Sequence, residues 1–216
     1  MGSRFDLLVF DWDGTLVDSA AHIVASIQKA CRDLELPVPS DAAARQVIGL
    51  GLHDALAQVL PGIDESRYGD VAERYRIHFL AGDAALQPYP QVQEGIMKLQ
   101  VNGYLLAVAT GKSRRGLDRA LQSFEFGTRF AATRCADEGF PKPHPDMLEW
   151  LAAALGVRRE RTLMIGDTTH DLQMAANARV SAVAVSYGAH SRALLEAHSP
   201  LACADSFGEL LAWLDT

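Results

Sequence analysis

The chain has 216 residues, 49% of them apolar and 22% charged, which excludes disordered, collagen-like and disulfide-scaffold classes. That length allows one generous domain or a core with a small insert. Its 27 acidic side chains outnumber 20 basic ones, and the pI near 5.4 argues against a dedicated binder of nucleic acid or membrane surface.

Leu7-Leu8-Val9-Phe10 is a short apolar run that stops at Asp11-Trp12-Asp13-Gly14, the pattern of a buried strand entering a turn. From Ser19 the period becomes helical. Ile23, Val24, Ile27, Ala30, Cys31 and Leu34 share one face, Asp18 or Ser19 can cap the start, and Pro37 and Pro39 end it. Helical stretches over 40–47, 52–60 and 66–80 follow with no strand between them, and Pro88-Tyr89-Pro90 closes the section like a linker. Beyond it the pattern alternates: helix 92–102, strand 105–110, helix 113–124, a weaker strand 130–135, helix 145–155, strand 162–166, helix 170–178, strand 180–185 and a last helix 207–214. Strands that are apolar throughout and separated by helices predict an α/β fold, a doubly wound parallel sheet covered on both faces. An all-helical block interrupts that sheet after its first strand. The expected division is therefore a core of 1–16 and 88–216 with a helical insert of 17–87.

A four-residue apolar run near the N-terminus predicts no signal peptide, and no stretch approaches the roughly 18 apolar residues of a membrane span. Cys31, Cys135 and Cys203 are far apart, odd in number and form no CxxC, as expected of buried thiols in a reducing compartment. A soluble cytoplasmic protein is the expectation.

In open α/β sheets the ligand lies outside the carboxyl ends of the strands. Asp11 and Asp13 follow the first strand, and Thr110-Gly111-Lys112-Ser113 the second. Lys142-Pro143-His144-Pro145 lies in the loop after the third, and Gly166-Asp167-Thr168-Thr169-His170-Asp171 follows the fourth. Four carboxylates on one edge repel: at about 5 Å and an effective dielectric near 20, each ionised pair costs roughly 3 kcal/mol. Protonation or a cation must relieve them. With oxygen donors and no paired Cys or His, the expected cation is Mg²⁺. Lys142 brings an opposing charge, and the Thr110 hydroxyl with the backbone N–H groups of Gly111 and Lys112 are natural donors to an anion.

This set suits phosphoryl transfer with an aspartate nucleophile. Alternate residues of Asp11-x-Asp13 point to opposite sides, so one carboxylate can attack while the other handles a proton. Asp167 and Asp171, four apart at a helix start, can face the same metal. Taken singly, Asp18 reads as a helix cap, Asp171 as an acid on a helix dipole and Lys142 as a surface lysine; their joint placement favours a site. Gly111-Lys112-Ser113 is no P-loop tail, because Leu106 stands where that motif requires glycine. Gly49-Leu50-Gly51 lacks the third glycine of a dinucleotide fingerprint.

Asp11-Trp12-Asp13-Gly14-Thr15-Leu16-Val17-Asp18-Ser19 resembles the opening motif of the haloacid dehalogenase-like hydrolase superfamily. Thr110, Lys142 and Gly166-Asp167, with Asp171 beyond, match its second, third and fourth motifs in order and spacing. The resemblance covers nearly the whole chain, includes a helical cap after strand one, and is closest to phosphoglycolate-phosphatase-like members. It implies that Asp11 attacks phosphorus to form an aspartyl-phosphate. Asp13 would protonate the leaving alkoxide and then activate water, while Thr110 and Lys142 hold the phosphoryl group. A Mg²⁺ site of Asp11, the backbone carbonyl of Asp13 and Asp167 is implied as well, with Asp171 nearby or through water. Many members carry Asn where this chain has Gly111.

The cap is expected to cover the site and exclude water. Gly49 to His53 would face the substrate, with Arg45 or His53 as a polar contact; a plain helix–helix turn explains the same residues. Arg114 and Arg115 suit either a second substrate anion or a solvated helix face. The histidines at 22, 78, 144, 170, 190 and 198 show no ligand spacing. The expected function is a Mg²⁺-dependent phosphatase of a small phosphorylated metabolite, phosphoglycolate-phosphatase-like, with no nucleic-acid or membrane partner, as a monomer or small homo-oligomer. Alternatives are a sugar phosphomutase of the β-phosphoglucomutase kind, a pyrophosphatase, a metal-independent 2-haloacid dehalogenase, and a non-catalytic module on the same fold. Thr15 counts against the mutase, since those enzymes often carry a branched apolar residue there.

Overall fold

The computed structural model describes residues 4–215, so the outermost ends of the expected core segments, 1–3 and 216, lie outside the described residues. Among the described residues, six parallel strands form one sheet in the order β3-β2-β1-β4-β5-β6. They are β1 (Leu7–Phe10), β2 (Leu105–Thr110), β3 (Ala132–Cys135), β4 (Thr162–Gly166), β5 (Ser181–Val185) and β6 (Cys203–Ala204). Phe10 of β1 sits opposite Val108 of β2 and Ile165 of β4. The chain order reverses on either side of β1, and its carboxyl end opens at that switch point.

Alternation along β1 divides the core. Leu8 and Phe10 pack with Val108, Ile165 and Phe207, whereas Leu7 and Val9 pack with Ala107, Met164, Met147 and Leu151. Helices α5 (Val92–Val101), α6 (Arg114–Gln122) and α10 (Phe207–Leu214) cover the first face, and α7 (Asp146–Ala154) and α8 (Thr169–Ala178) cover the second. With both faces buried, the strands need no polar side, which is why they read as continuous apolar runs.

The segment between β1 and α5 folds as α1 (Ala20–Asp33), α2 (Asp41–Gln46), α3 (Leu52–Val59) and α4 (Tyr68–Leu80) around its own apolar cluster. Ile23, Val24, Ile27, Ala30 and Cys31 of α1 are buried there with Leu56 and Val71, and Leu34 at the helix end is partly buried. The chain enters and leaves this block side by side. Asp18 N–H donates to the Gln87 carbonyl at 3.0 Å, and Tyr89 N–H donates to the Leu16 carbonyl at 3.0 Å.

Some expectations change. Neither Asp18 nor Ser19 caps α1 through its side chain, because the Ser19 hydroxyl turns instead to Asp13. The third strand begins at Ala132 rather than at 130, with Phe130 packed against the core ahead of it. Helix α9 (Arg192–Glu196) and β6 were not foreseen; β6 is too short to show a period and exists by pairing with β5. All three cysteines are free, and Cys203, on that edge strand, is half-buried rather than buried. No helix of the described residues is long and apolar enough to cross a membrane.

Candidate active site

Asp11 leaves the sheet at its centre, its N–H still bonded to the Ile165 carbonyl at 2.9 Å. Four ionisable side chains, from the ends of β1 and β4, the first turn of α8 and the loop after β3, meet there with almost no exposure: Asp11 and Lys142 at 1%, Asp167 and Asp171 at 0%. The Lys142 Nζ lies 2.9 Å from Asp11 Oδ1 and 2.6 Å from Asp171 Oδ1. Trp12 N–H also donates to Asp11 Oδ1, at 2.6 Å. Asp171 Oδ2 accepts from the hydroxyl and the N–H of Thr168 at 2.7 and 3.1 Å, closing a capping box at the start of α8. Asp171 thus serves the helix terminus and the lysine together. Asp167 is held at both oxygens, by the Thr15 hydroxyl and by Ala189 N–H, each at 2.7 Å. Gly14, at φ +79°, leaves space for it; a Cβ there would stand 2.2 Å from Asp167 Oδ2.

The charges do not balance. Burial drives the Asp11 carboxyl well above the usual range, with Asp171 and Asp167 adding to the rise and Lys142 opposing it. Asp167 is pushed up to about 7, first by burial and then by Asp171. Burial would lower Lys142, but the carboxylates of Asp11 and Asp171 outweigh it and keep the ammonium charged. One cation against three carboxylates leaves two negative charges when all are ionised. Oxygens of Asp11, Asp167 and Asp171 lie within 4.8 Å of one another, and Asp11 Oδ2 is buried without a hydrogen-bond partner. Hard oxygen donors and uncompensated charge fit a divalent cation such as Mg²⁺.

Asp13 stands apart from that cluster. Its Oδ1 accepts from the Ser19 hydroxyl at 2.7 Å, and its Oδ2 pairs with Lys112 Nζ at 2.8 Å. Thr110 is buried, and its Oγ1 accepts the Lys112 N–H at 3.2 Å. That amide, expected as a donor to an anion, is therefore already engaged. Gly111 meets the 49–51 segment so closely that a Cβ would lie 2.4 Å from the Leu50 carbonyl oxygen and 2.6 Å from that of Gly49. No side chain fits at position 111 without moving backbone, which accounts for glycine there.

A cleft of about 960 Å³ opens over these groups, with Asp11, Asp13 and Thr110 on the sheet side and Ile27, Tyr75 and Phe79 on the helical side. Gly49, Gly51 and His53 line it, and a Cβ on Gly49 would come within 3.8 Å of Asp11 Oδ2. The His53 side chain is 70% exposed and meets the Tyr68 ring edge-on at 5.1 Å. Arg45, on α2, is not among the residues lining this cleft. Arg114 is engaged by Glu138, Asp118 and Thr133, whereas Arg115 lines the cleft. Asp18 faces away from the cluster, toward the Tyr89 hydroxyl at 3.3 Å.

Sequence reasoning missed Thr15, Ser19, the Lys112 side chain and Ala189 as partners of the acids. Ala189 had a signal: the loop after the fifth strand lies on the same sheet edge as the four that carry Asp11, Thr110, Lys142 and Asp167.

Residues 8–185 match the profile of the haloacid dehalogenase-like hydrolases. The chain belongs to that family. It is similar to the probable phosphatase IndB of Dickeya dadantii (strain 3937), at 36% identity over 95% of this chain and 91% of that protein. It is 30% identical to the pyrophosphatase PpaX of Bacillus cereus (strain AH820), over 96% and 95% of the two chains. The crystal structure of a predicted phosphoglycolate phosphatase from Haemophilus somnus 129PT overlays with a TM-score of 0.84 at 26% identity, covering 98% of this chain and 99% of that one. As a haloacid dehalogenase-like hydrolase the chain is an enzyme, and Asp11, which lines the cleft, keeps one carboxylate oxygen without a hydrogen-bond partner.

Proposed function

We propose that this hydrolase is a Mg²⁺-dependent phosphatase that releases phosphate from a small phosphorylated metabolite through an aspartyl-phosphate on Asp11. The observation that carries the proposal is Asp11 itself, a residue of the cleft floor with Oδ1 fixed by Lys142 and Trp12 and Oδ2 buried and without a hydrogen-bond partner. Asp11 Oδ2 attacks phosphorus, the bond to the leaving alkoxide breaks, and Asp13 gives that oxygen its proton. Asp13 then takes a proton from the water that cleaves the aspartyl-phosphate, restoring Asp11 and freeing inorganic phosphate. The Thr110 hydroxyl and the Gly111 amide hold phosphoryl oxygens, and Lys142 supplies charge beside them.

Asp11, the Asp13 carbonyl and Asp167, with Asp171 behind them, would hold the Mg²⁺. When bound, it offsets the carboxylates and draws on phosphoryl charge. Residues 17–87 act as a cap over a core of 1–16 and 88–216; Gly49 to His53 are its contribution to the cleft, and closure excludes water. Free thiols and the excess of 27 acids over 20 bases support a cytoplasmic setting without a nucleic-acid partner.

Phosphoglycolate and pyrophosphate are the first substrates to try, since proteins named for each are similar over nearly the whole chain. In the test, Mg²⁺-supported release of phosphate from p-nitrophenyl phosphate falls at least about 1000-fold in Asp11→Asn. Full turnover by that variant sinks the proposal. Isomerisation of a hexose 1-phosphate without free phosphate points to the mutase, and chloride release from 2-chloropropionate in EDTA to the dehalogenase.

A further inference from the structure

Lys112 follows the pair proposed to hold phosphate, yet its ammonium is turned elsewhere. It lies 2.8 Å from Asp13 Oδ2, with the two side chains only 13% and 12% exposed. The same Nζ sits 4.6 Å from the centre of the Phe79 ring, on α4 of the helical block. Its stem is fixed at the backbone: Lys112 N–H donates to Thr110 Oγ1 at 3.2 Å, and its carbonyl accepts from Ala136 N–H at 3.1 Å. Asp13 is thus gripped at both oxygens, by Ser19 where the chain enters the block and by Lys112 from the sheet edge. A cation over an aromatic face is held there by the ring quadrupole, so moving the ring away loosens the cation.

We propose that Lys112 is a positioning residue that acts through Asp13, aiming its carboxyl at the leaving oxygen only while Phe79 stands over the ammonium. Proton delivery is then tied to the place of α4 above the cleft. The inference rests on the acid–base role proposed for Asp13. Lys142 differs in kind, being wholly buried and paired with Asp11 and Asp171 rather than with the proton donor.

The test compares first-turnover release of the phenol from two esters of nearly the same shape, phenyl phosphate and p-nitrophenyl phosphate, with the full chain and saturating Mg²⁺, because the later water step, where Asp13 acts as base, is common to both. Phenolate, with a conjugate pKa of about 10 like tyrosine, needs a proton far more than the nitrophenolate does. In Lys112→Met, the first-turnover rate for phenyl phosphate falls roughly 10- to 100-fold, part of the 10²- to 10⁴-fold that a placed general acid supplies. For p-nitrophenyl phosphate it falls less than about threefold, and KM for either ester changes as little. Phe79→Leu shows the same split in smaller measure, and the double variant is no worse than Lys112→Met alone. Equal losses on both esters, a loss confined to KM, or additive effects would overturn the proposal. Asp13→Asn separates the two layers. If it lacks the split between esters, the acid–base role fails and this inference with it; if it shows the split and Lys112→Met does not, this inference alone falls.

Discussion

Gly111 shows how much a single missing methyl can set. The carbonyls of Gly49 and Leu50 occupy the place a side chain would need, and they are backbone, unable to swing aside. In Gly111→Ala the 49–51 segment must shift away from position 111. The expected cost is about 2 kcal/mol, in the range of overpacked cores, seen as a Tm lowered by about 6 °C with kcat/KM for p-nitrophenyl phosphate reduced about tenfold. An unchanged melt would mean that the segment is not packed this closely. The reason for glycine here was illegible in the chain, since the contact joins a strand end to a helical turn far away in sequence. The acids and Lys142 were legible because each follows a strand, and the structure does bring Asp11, Lys142, Asp167 and Asp171 together. Thr15, Ser19 and the Lys112 ammonium were not, because where a hydroxyl or a flexible amine points is decided by tertiary neighbours.

Among elements, the start of α6 is tied to the turn after β3 by one acid. Glu138 accepts from Arg114 at 2.8 Å and from the Cys135 N–H at 2.8 Å. The Arg114 guanidinium holds its carboxyl below the ordinary range; burial opposes it more weakly, and the Cys135 amide adds a smaller lowering. A carboxyl lowered on folding stabilises above its unfolded pKa, near 4.3, and loses that contribution as pH falls through its folded value. Glu138→Gln is therefore expected to cost about 1 kcal/mol at pH 7, a modest figure because the pair is about 30% exposed, with side chains at 32% and 29%. The difference from the native chain should hold above about pH 4.3 and shrink in melts as pH falls below it, through the lower value of the folded carboxyl. Element by element, the long periodic stretches were readable: the expected face of α1 is the buried one, and all five expected strands appear in the sheet. β6 and α9 were not readable, since two residues and one helical turn carry too little pattern to set against the surrounding loop.

For the molecule as a whole, the buried acids make stability a reporter of cation binding. An ion that binds the folded chain alone stabilises it by about 2.7 kcal/mol at a hundredfold excess over Kd, so Mg²⁺ should raise Tm by about 8 °C over EDTA-treated protein. Asp167→Asn should shrink that rise; no Mg²⁺-dependent shift in the native chain would count against the cation site. The junction between sheet and helices has a different consequence. Because Leu16–Asp18 and Gln87–Tyr89 run side by side and hydrogen-bond to each other, the sheet sees the block above it as a loop whose ends are already closed. Whatever replaces that loop need only start and finish about 4.8 Å apart, and lengthening it adds little closure entropy. The helical block can thus be exchanged whole while the sheet and the acids at its edge stay as they were.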